Sequence, residues 1–228
     1  MIVVTGRMVQ SAQRVIAPAD LGEPLICYQG AVVVDADGTW LLHEPIELEL
    51  ARETIRVVEE EGYEPNVYVA DELYVSRVTP HSERYANFQH LEIHAVGNVV
   101  EWLSQAPTKL VCVGDPAALD ELGARMRERF DGRLWVTKSL PFFLEFATVG
   151  VSKGSGLEFL SRRLGFSRER VVAFGDAEND LDLLEWAGYG VAVGNAADSV
   201  KAVADWVGPS AADEGVAQVI EALLDARA

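Results

Sequence analysis

The sequence predicts an α/β protein with a parallel sheet at its core and a mixed α+β segment inserted into it. Over residues 152–226, apolar runs of strand length alternate with segments of helical spacing, a pattern that parallel strands joined by right-handed crossovers produce. The chain opens on the same alternation, strand then helix then strand, over residues 2–28. Between these stretches, residues 66–147 are dominated by strand-like runs, so the inserted segment is of another kind.

Taken in order, Ile2-Val3-Val4-Thr5 reads as a buried strand ending at Gly6, and Met8, Ala12, Val15 and Ile16 give residues 8–17 helical spacing. Residues 24–28 form a second short strand. A hairpin follows, in which residues 31–34 and 39–42 flank Asp35-Ala36-Asp37-Gly38, an Asp-Gly turn between apolar runs. Leu48, Ala51, Ile55 and Val58 line one side of an amphipathic helix over 47–61. Within the strand-rich stretch, helices are expected near 99–105 and 116–130. The final third reads as a helix over 152–164, a strand over 170–174, a helix over 180–186, a strand over 189–193, and helices over 197–204 and 215–226.

Composition narrows the function. With 228 residues, 49% of them hydrophobic, the chain can bury a substantial core. The formal net charge of −17 repels nucleic acid and anionic membrane surfaces. The same field repels a phosphorylated substrate, which then needs a local cation or a buried lysine, and the four lysines are Lys109, Lys138, Lys153 and Lys201. Cys27 and Cys112 each sit in an apolar run and are expected to act as small buried hydrophobes without a disulfide. No apolar run reaches membrane-spanning length and no charged-then-apolar leader follows Met1, so the cytoplasm is the expected compartment.

Chemistry concentrates in Val171-Val172-Ala173-Phe174-Gly175-Asp176-Ala177-Glu178-Asn179-Asp180, where an apolar strand runs into a glycine turn bearing acids. Ligands of open parallel sheets bind at the carboxyl ends of the strands, so Asp176 and Asp180 would converge there, and carboxylate oxygens suit Mg²⁺. An acidic turn capping a helix would give the same letters. In Val149-Gly150-Val151-Ser152-Lys153-Gly154 a lysine stands where a helix begins, against the helix dipole, which calls for an anion beside it. Val4-Thr5-Gly6-Arg7 brings a hydroxyl and backbone N–H groups to another strand end, the parts of a phosphate cradle.

These motifs, with Tyr28-Gln29-Gly30-Ala31, resemble in order and spacing the haloacid dehalogenase superfamily, and within it the Cof-type phosphatases, whose subclass IIB cap is a large inserted α+β domain. The resemblance implies a Rossmann-like core from residues 1–30 and 147–228, a cap from 31–146, and hydrolysis of a small phosphorylated metabolite such as a sugar phosphate or phosphoglycolate. By the resemblance, Thr5 hydrogen-bonds the transferring phosphoryl group, with Gly6 and Arg7 beside it. Lys153 neutralises that group and holds the nucleophile. Asp176 and Asp180 serve Mg²⁺, and Asn179 and Asp180 orient the metal shell or Lys153. Gln29 and Gly30 are candidate substrate contacts.

The family opens on a strand ending in Asp-x-Asp-Gly-Thr, whose first aspartate is the nucleophile, and no such motif precedes Thr5 here. The first core strand is therefore expected to be absent from this chain. Asp35-Ala36-Asp37-Gly38-Thr39 matches the letters but follows Thr5 and lies in the hairpin context, so Asp35 and Asp37 are read as turn residues. Three accounts follow: a longer natural protein, a member that binds without catalysing, or a catalytic Asp35. His90 and His94, four apart, would share a helix face as in a zinc site, but they fit a strand as well. Rival functions are a non-catalytic phosphate-ligand or metal-binding module, and an assembly protein whose open sheet edges pair with another copy to form a homo-oligomer.

Overall fold

The opening apolar run, expected to be a buried strand, is only half-buried because it stands at the edge of the first sheet. β1 (Val3–Val4) pairs in parallel with β2 (Leu25–Cys27) across the helix α1 (Val9–Ile16), and the hairpin of β3 (Val32–Val34) and β4 (Trp40–His43) extends the sheet antiparallel. Its order is β1-β2-β3-β4, so the expected division at residue 31 falls inside a continuous sheet. The computed structural model describes residues 1–19 and 21–226, in two compact units, Met1–Val151 and Ser152–Ala228.

The first unit also holds a six-stranded sheet. Its strands are β5 (Asn66–Val69), β6 (Glu72–Val75), β7 (Ile93–Ala95), β8 (Lys109–Val113), β9 (Leu134–Leu140) and β10 (Phe143–Thr148), in the order β7-β6-β5-β8-β10-β9. The period of two along each strand sorts its side chains to two faces. Val67, Leu110, Cys112, Leu144 and Phe146 pack with α2 (Leu48–Glu60) and α5 (Pro116–Arg129) through Ile55, Val58, Leu119 and Leu122. Tyr68, Val111 and Phe143 meet Met8, Val9 and Ala12 beside α1, together with Tyr28 and Val32. Each such side chain taken fully out of water contributes about 1.5–3 kcal/mol.

Two further helices interrupt this sheet. α3 (Pro80–Gln89) has a polar sequence whose periodicity gives no signal, yet its start is marked: Thr79 and Ser82 form a reciprocal capping box and Pro80 occupies the first turn. Its last turn ends at His90 in the left-handed region, φ 57°, whereas His94 lies on β7. The two imidazoles therefore do not share a helix face. α4 (Val99–Trp102) is shorter than the expected 99–105, because Leu103 already leaves the helical region.

The second unit is the predicted alternation: α6 (Lys153–Leu164), β11 (Val172–Gly175), α7 (Leu181–Trp186), β12 (Tyr189–Ala192), α8 (Asp198–Val203), β13 (Trp206–Val207) and α9 (Gly215–Asp225). The sheet runs β11-β12-β13, all parallel, and β13 is too short to leave a periodic trace in the sequence. Leu157, Leu160, Leu183, Leu184, Val191 and Val200 are buried around it. Among the described residues, no helix is long and apolar enough to cross a membrane.

Candidate active site

In the second unit the helix α6 begins with a capping box. Ser152 Oγ accepts from Ser155 N at 3.1 Å, and Ser155 Oγ accepts from Ser152 N at 2.9 Å. This fixes Lys153 as the first helical residue, 8% exposed. Asp180 receives the Lys153 ammonium at Oδ1. Its other oxygen, Oδ2, accepts from the amides of Asp176 at 3.0 Å and Ala177 at 3.1 Å, so the carboxylate ties helix, strand end and turn together. Removing one partner of a buried pair of this kind costs about 3–5 kcal/mol.

Two glycines permit the arrangement. A Cβ on Gly175 would stand 2.5 Å from Cβ of Asp180, and one on Gly154 would stand 2.6 Å from the backbone oxygen of Asp182. The glycines in the Lys-Gly and Gly-Asp pairs are therefore packing requirements. Asp176 follows β11 directly and is exposed, Asn179 is half-buried in the turn before α7, and Asp180 is 5% exposed. Lys153, Asp176, Asn179 and Asp180 thus come together at the carboxyl end of a parallel strand.

Among the described residues, no group of three or more His, Cys, Asp or Glu is placed to hold a metal ion. Mg²⁺ needs no such group, since it takes one or two carboxylates and completes its shell with water and phosphate. The exposed Asp176 carboxylate fits that requirement. Asp180, with both oxygens engaged, fits it as the residue that fixes the turn on which Asp176 stands.

In the first unit the turn after β1 is held by β2 and the residues following it. Thr5 N donates to the Ile26 carbonyl at 2.8 Å, Tyr28 N to the Arg7 carbonyl at 2.9 Å, and Gln29 N to the Thr5 carbonyl at 3.1 Å. Tyr28, Gln29 and Gly30 have successive φ of 52°, 59° and 105°, a left-handed run that two side-chain-bearing residues adopt only when their surroundings impose it. The Gln29 side chain lies on Gly6, with Nε2 only 2.4 Å from where a Gly6 Cβ would be. Thr5 Oγ1 accepts from Arg7 N at 3.2 Å, and the Arg7 guanidinium reaches Ser11 Oγ at 3.2 Å and Gln89 Oε1 at 3.3 Å. Thr5, Gly6 and Arg7 therefore form a turn hydrogen-bonded to the one that holds Gln29 and Gly30.

Asp35 and Asp37 stand at the tip of the β3–β4 hairpin. Asp35 Oδ1 accepts from Ala36 N and Asp37 Oδ1 from Thr39 N, both at 2.8 Å, and Gly38 has φ +88°. The Asp37 carboxylate is an Asx-turn acceptor, and that of Asp35 accepts from the next amide. The amides of Thr39 and of Asp37 itself hold the Asp37 carboxyl below its ordinary range.

Three residues beside the Thr5 turn were not singled out from the sequence. Lys109 and Glu145 form a buried ion pair, Nζ to Oε2 at 3.4 Å, and Asp71 caps α1 by accepting from Val9 N and Gln10 N at 2.8 Å each. The signal existed for the pair: Lys109 opens the apolar run 110–113, and Glu145 interrupts the apolar run 143–147.

The fold is of the α/β class, with an all-parallel sheet in the second unit and a four-stranded and a six-stranded sheet in the first. The sequence matches the haloacid dehalogenase-like hydrolase family over residues 1–220, and the chain belongs to that family. It is 30% identical to the 5-amino-6-(5-phospho-D-ribitylamino)uracil phosphatase YitU of Bacillus subtilis over 226 residues, covering 95% of this chain and 82% of that protein. The crystal structure of TM0651 from Thermotoga maritima superposes with a TM-score of 0.85 at 34% identity, over 96% of this chain and 83% of that one. The sugar phosphatase BT4131, described as subclass IIB, shares the fold with a TM-score of 0.81 at 20% identity, over 97% and 84% of the two chains.

Proposed function

We propose that this chain hydrolyses the phosphomonoester of a small phosphorylated metabolite, a sugar phosphate or phosphoglycolate, with Mg²⁺ as cofactor. The observation that carries the reading is the buried Lys153–Asp180 pair beside the exposed Asp176 at the end of β11. Phosphoryl transfer asks a protein mainly for positioning and for charge neutralisation on the equatorial oxygens. Lys153 supplies the cation, held against Asp180 so that it need not reorganise when the anion arrives. Thr5 donates its hydroxyl to a phosphoryl oxygen while its oxygen accepts from Arg7 N, with Gly6 and Arg7 completing the turn. Asp176 would hold Mg²⁺, Asn179 and Asp180 would orient that shell, and the ion would neutralise charge on the transferring group. Gln29 and Gly30 would line the leaving-group side.

The remaining assignments are of the same standing. Residues 1–30 with 147–228 would be the catalytic core and 31–146 the cap, although β2 pairs with β3 across residue 31. The two free, buried cysteines support a reducing compartment, for which we take the cytoplasm.

One observation favours a second reading, a phosphate-ligand-binding member without turnover: Asp35 and Asp37, the two acids of the Asp-x-Asp-Gly-Thr letters, accept from hairpin amides. Release of phosphate from an aryl phosphate, with and without Mg²⁺, separates the readings when run beside calorimetric titration with inorganic phosphate. Turnover that requires Mg²⁺ supports the hydrolase, binding without turnover supports the second reading, and neither binding nor turnover sinks both.

A further inference from the structure

We propose that Lys109 is the positioning residue of the Thr5 turn, acting through the Gly6–Arg7 peptide; this rests on the phosphate-binding role given above to Thr5. Lys109 lies on β8 and is 5% exposed, with its ammonium 5.1 Å from the Tyr68 ring centre and 5.8 Å from that of Tyr28. Glu145 on β10 takes it from one side at 3.4 Å and is itself held by Ser139 Oγ at 2.5 Å. From the other side the ammonium donates to the Gly6 carbonyl at 3.4 Å.

A trans peptide sets its C=O and N–H in opposite directions in one plane. A cation that fixes the Gly6 carbonyl therefore also aims the Arg7 N–H, and that N–H is the group that holds Thr5 Oγ1 at 3.2 Å. The line Glu145, Lys109, Gly6 carbonyl, Arg7 amide and Thr5 hydroxyl runs from the six-stranded sheet to the one hydroxyl assigned to the phosphoryl group. Gly6 has no side chain of its own to resist a peptide flip, and the Gln29 side chain fills the space on its other side. Burial pulls the ammonium toward neutrality, but the Glu145 carboxylate beside it opposes this, and the Lys109 pKa lies above its ordinary value.

The test is a double-mutant cycle on inorganic phosphate affinity, measured calorimetrically with Mg²⁺ on Lys109→Met, Thr5→Val and the pair. If Lys109 acts through Thr5, Lys109→Met weakens phosphate about tenfold in the parent and has no further effect in Thr5→Val. Equal losses in both backgrounds overturn the proposal. Because Lys109→Met leaves the Glu145 carboxylate buried alone, Lys109→Met/Glu145→Leu is the companion variant and restores stability without restoring affinity. Hydrogen exchange at the Arg7 amide gives a reading that does not depend on phosphate: it rises about tenfold in the companion variant while its unfolding midpoint matches the parent. Unchanged exchange overturns the proposal even if the parent binds no phosphate, an outcome that would sink only the functional reading.

Discussion

The carboxylate of Asp180 is shared between the ammonium of Lys153 at Oδ1 and the amides of Asp176 and Ala177 at Oδ2. A single side chain thus sets both the direction of the cation and the shape of the turn that presents Asp176.

Replacing either partner has distinguishable effects. Lys153→Ala removes the cation and should lower turnover about 100- to 1,000-fold, the cost of deleting one preorganised group that meets transition-state charge. Asp180→Asn keeps one oxygen for the turn amides but frees Lys153, so turnover should fall less while the unfolding free energy drops by about 3 kcal/mol. Steady-state kinetics and urea unfolding on both variants check this, and full turnover by Lys153→Ala would remove it from the mechanism.

Gly175→Ala and Gly154→Ala should separate site geometry from packing. The first forces Cβ against Asp180, at 2.5 Å, and the second against the Asp182 backbone, at 2.6 Å. Each should cost about 1–3 kcal/mol of stability as overpacking. The Gly175 variant should in addition lose most Mg²⁺-dependent turnover, because it displaces Asp180 itself. Equal turnover in the two variants, measured where both are folded, would count against the role given to the turn.

The first unit should be destabilised by alkali. Burial raises the Cys27 thiol from its ordinary 9.0 to about 12, and raises Tyr68 well above 10.0. A folded-state pKa above the unfolded one means that the native state keeps a proton the unfolded chain gives up. The stability from these groups is complete below the unfolded pKa and is lost as pH rises through the window above 9.0 and 10.0. Unfolding midpoints measured from about pH 8 to about pH 11 should fall, and should fall less steeply in Cys27→Ala and Tyr68→Phe than in the parent. Parallel slopes would show that neither group titrates with unfolding.

At the β3–β4 hairpin, Asp35→Asn and Asp37→Asn keep an oxygen acceptor for the turn amides, so turnover should stay within about twofold of the parent. Kinetics on the two single variants decide this. Loss of activity in Asp35→Asn alone would make Asp35 the nucleophile.

Much of this was legible in the sequence because it is periodic or local. The alternation over 152–226 announced the parallel sheet β11-β12-β13, and the Asp-Gly turn announced the β3–β4 hairpin. Lys153 at a helix start was read as calling for an anion; its pairing with Asp180 followed only from the resemblance, because the two are 27 residues apart. The polar helix α3 was hidden because only Ser82, Tyr85 and Ala86 are buried, and its signal was the Thr79 and Pro80 start alone. Lys109 and Glu145 each left a mark by opening or interrupting an apolar run, but that they pair was hidden, because two charges 36 residues apart meet only after β8 and β10 have paired. Asp71 escaped for the same reason, since it caps a helix 61 and 62 residues away.

The central claim is that Asp176 and Lys153 serve one Mg²⁺-dependent hydrolysis. Its most direct measurement is phosphate release from an aryl phosphate by the parent chain, Asp176→Asn and Lys153→Ala across a Mg²⁺ titration. The account predicts turnover in the parent that rises with Mg²⁺ and falls at least about 100-fold in each variant. Turnover that is indifferent to Mg²⁺, or that survives Asp176→Asn, would contradict it; a parent that binds phosphate but releases none would replace it with the binding protein.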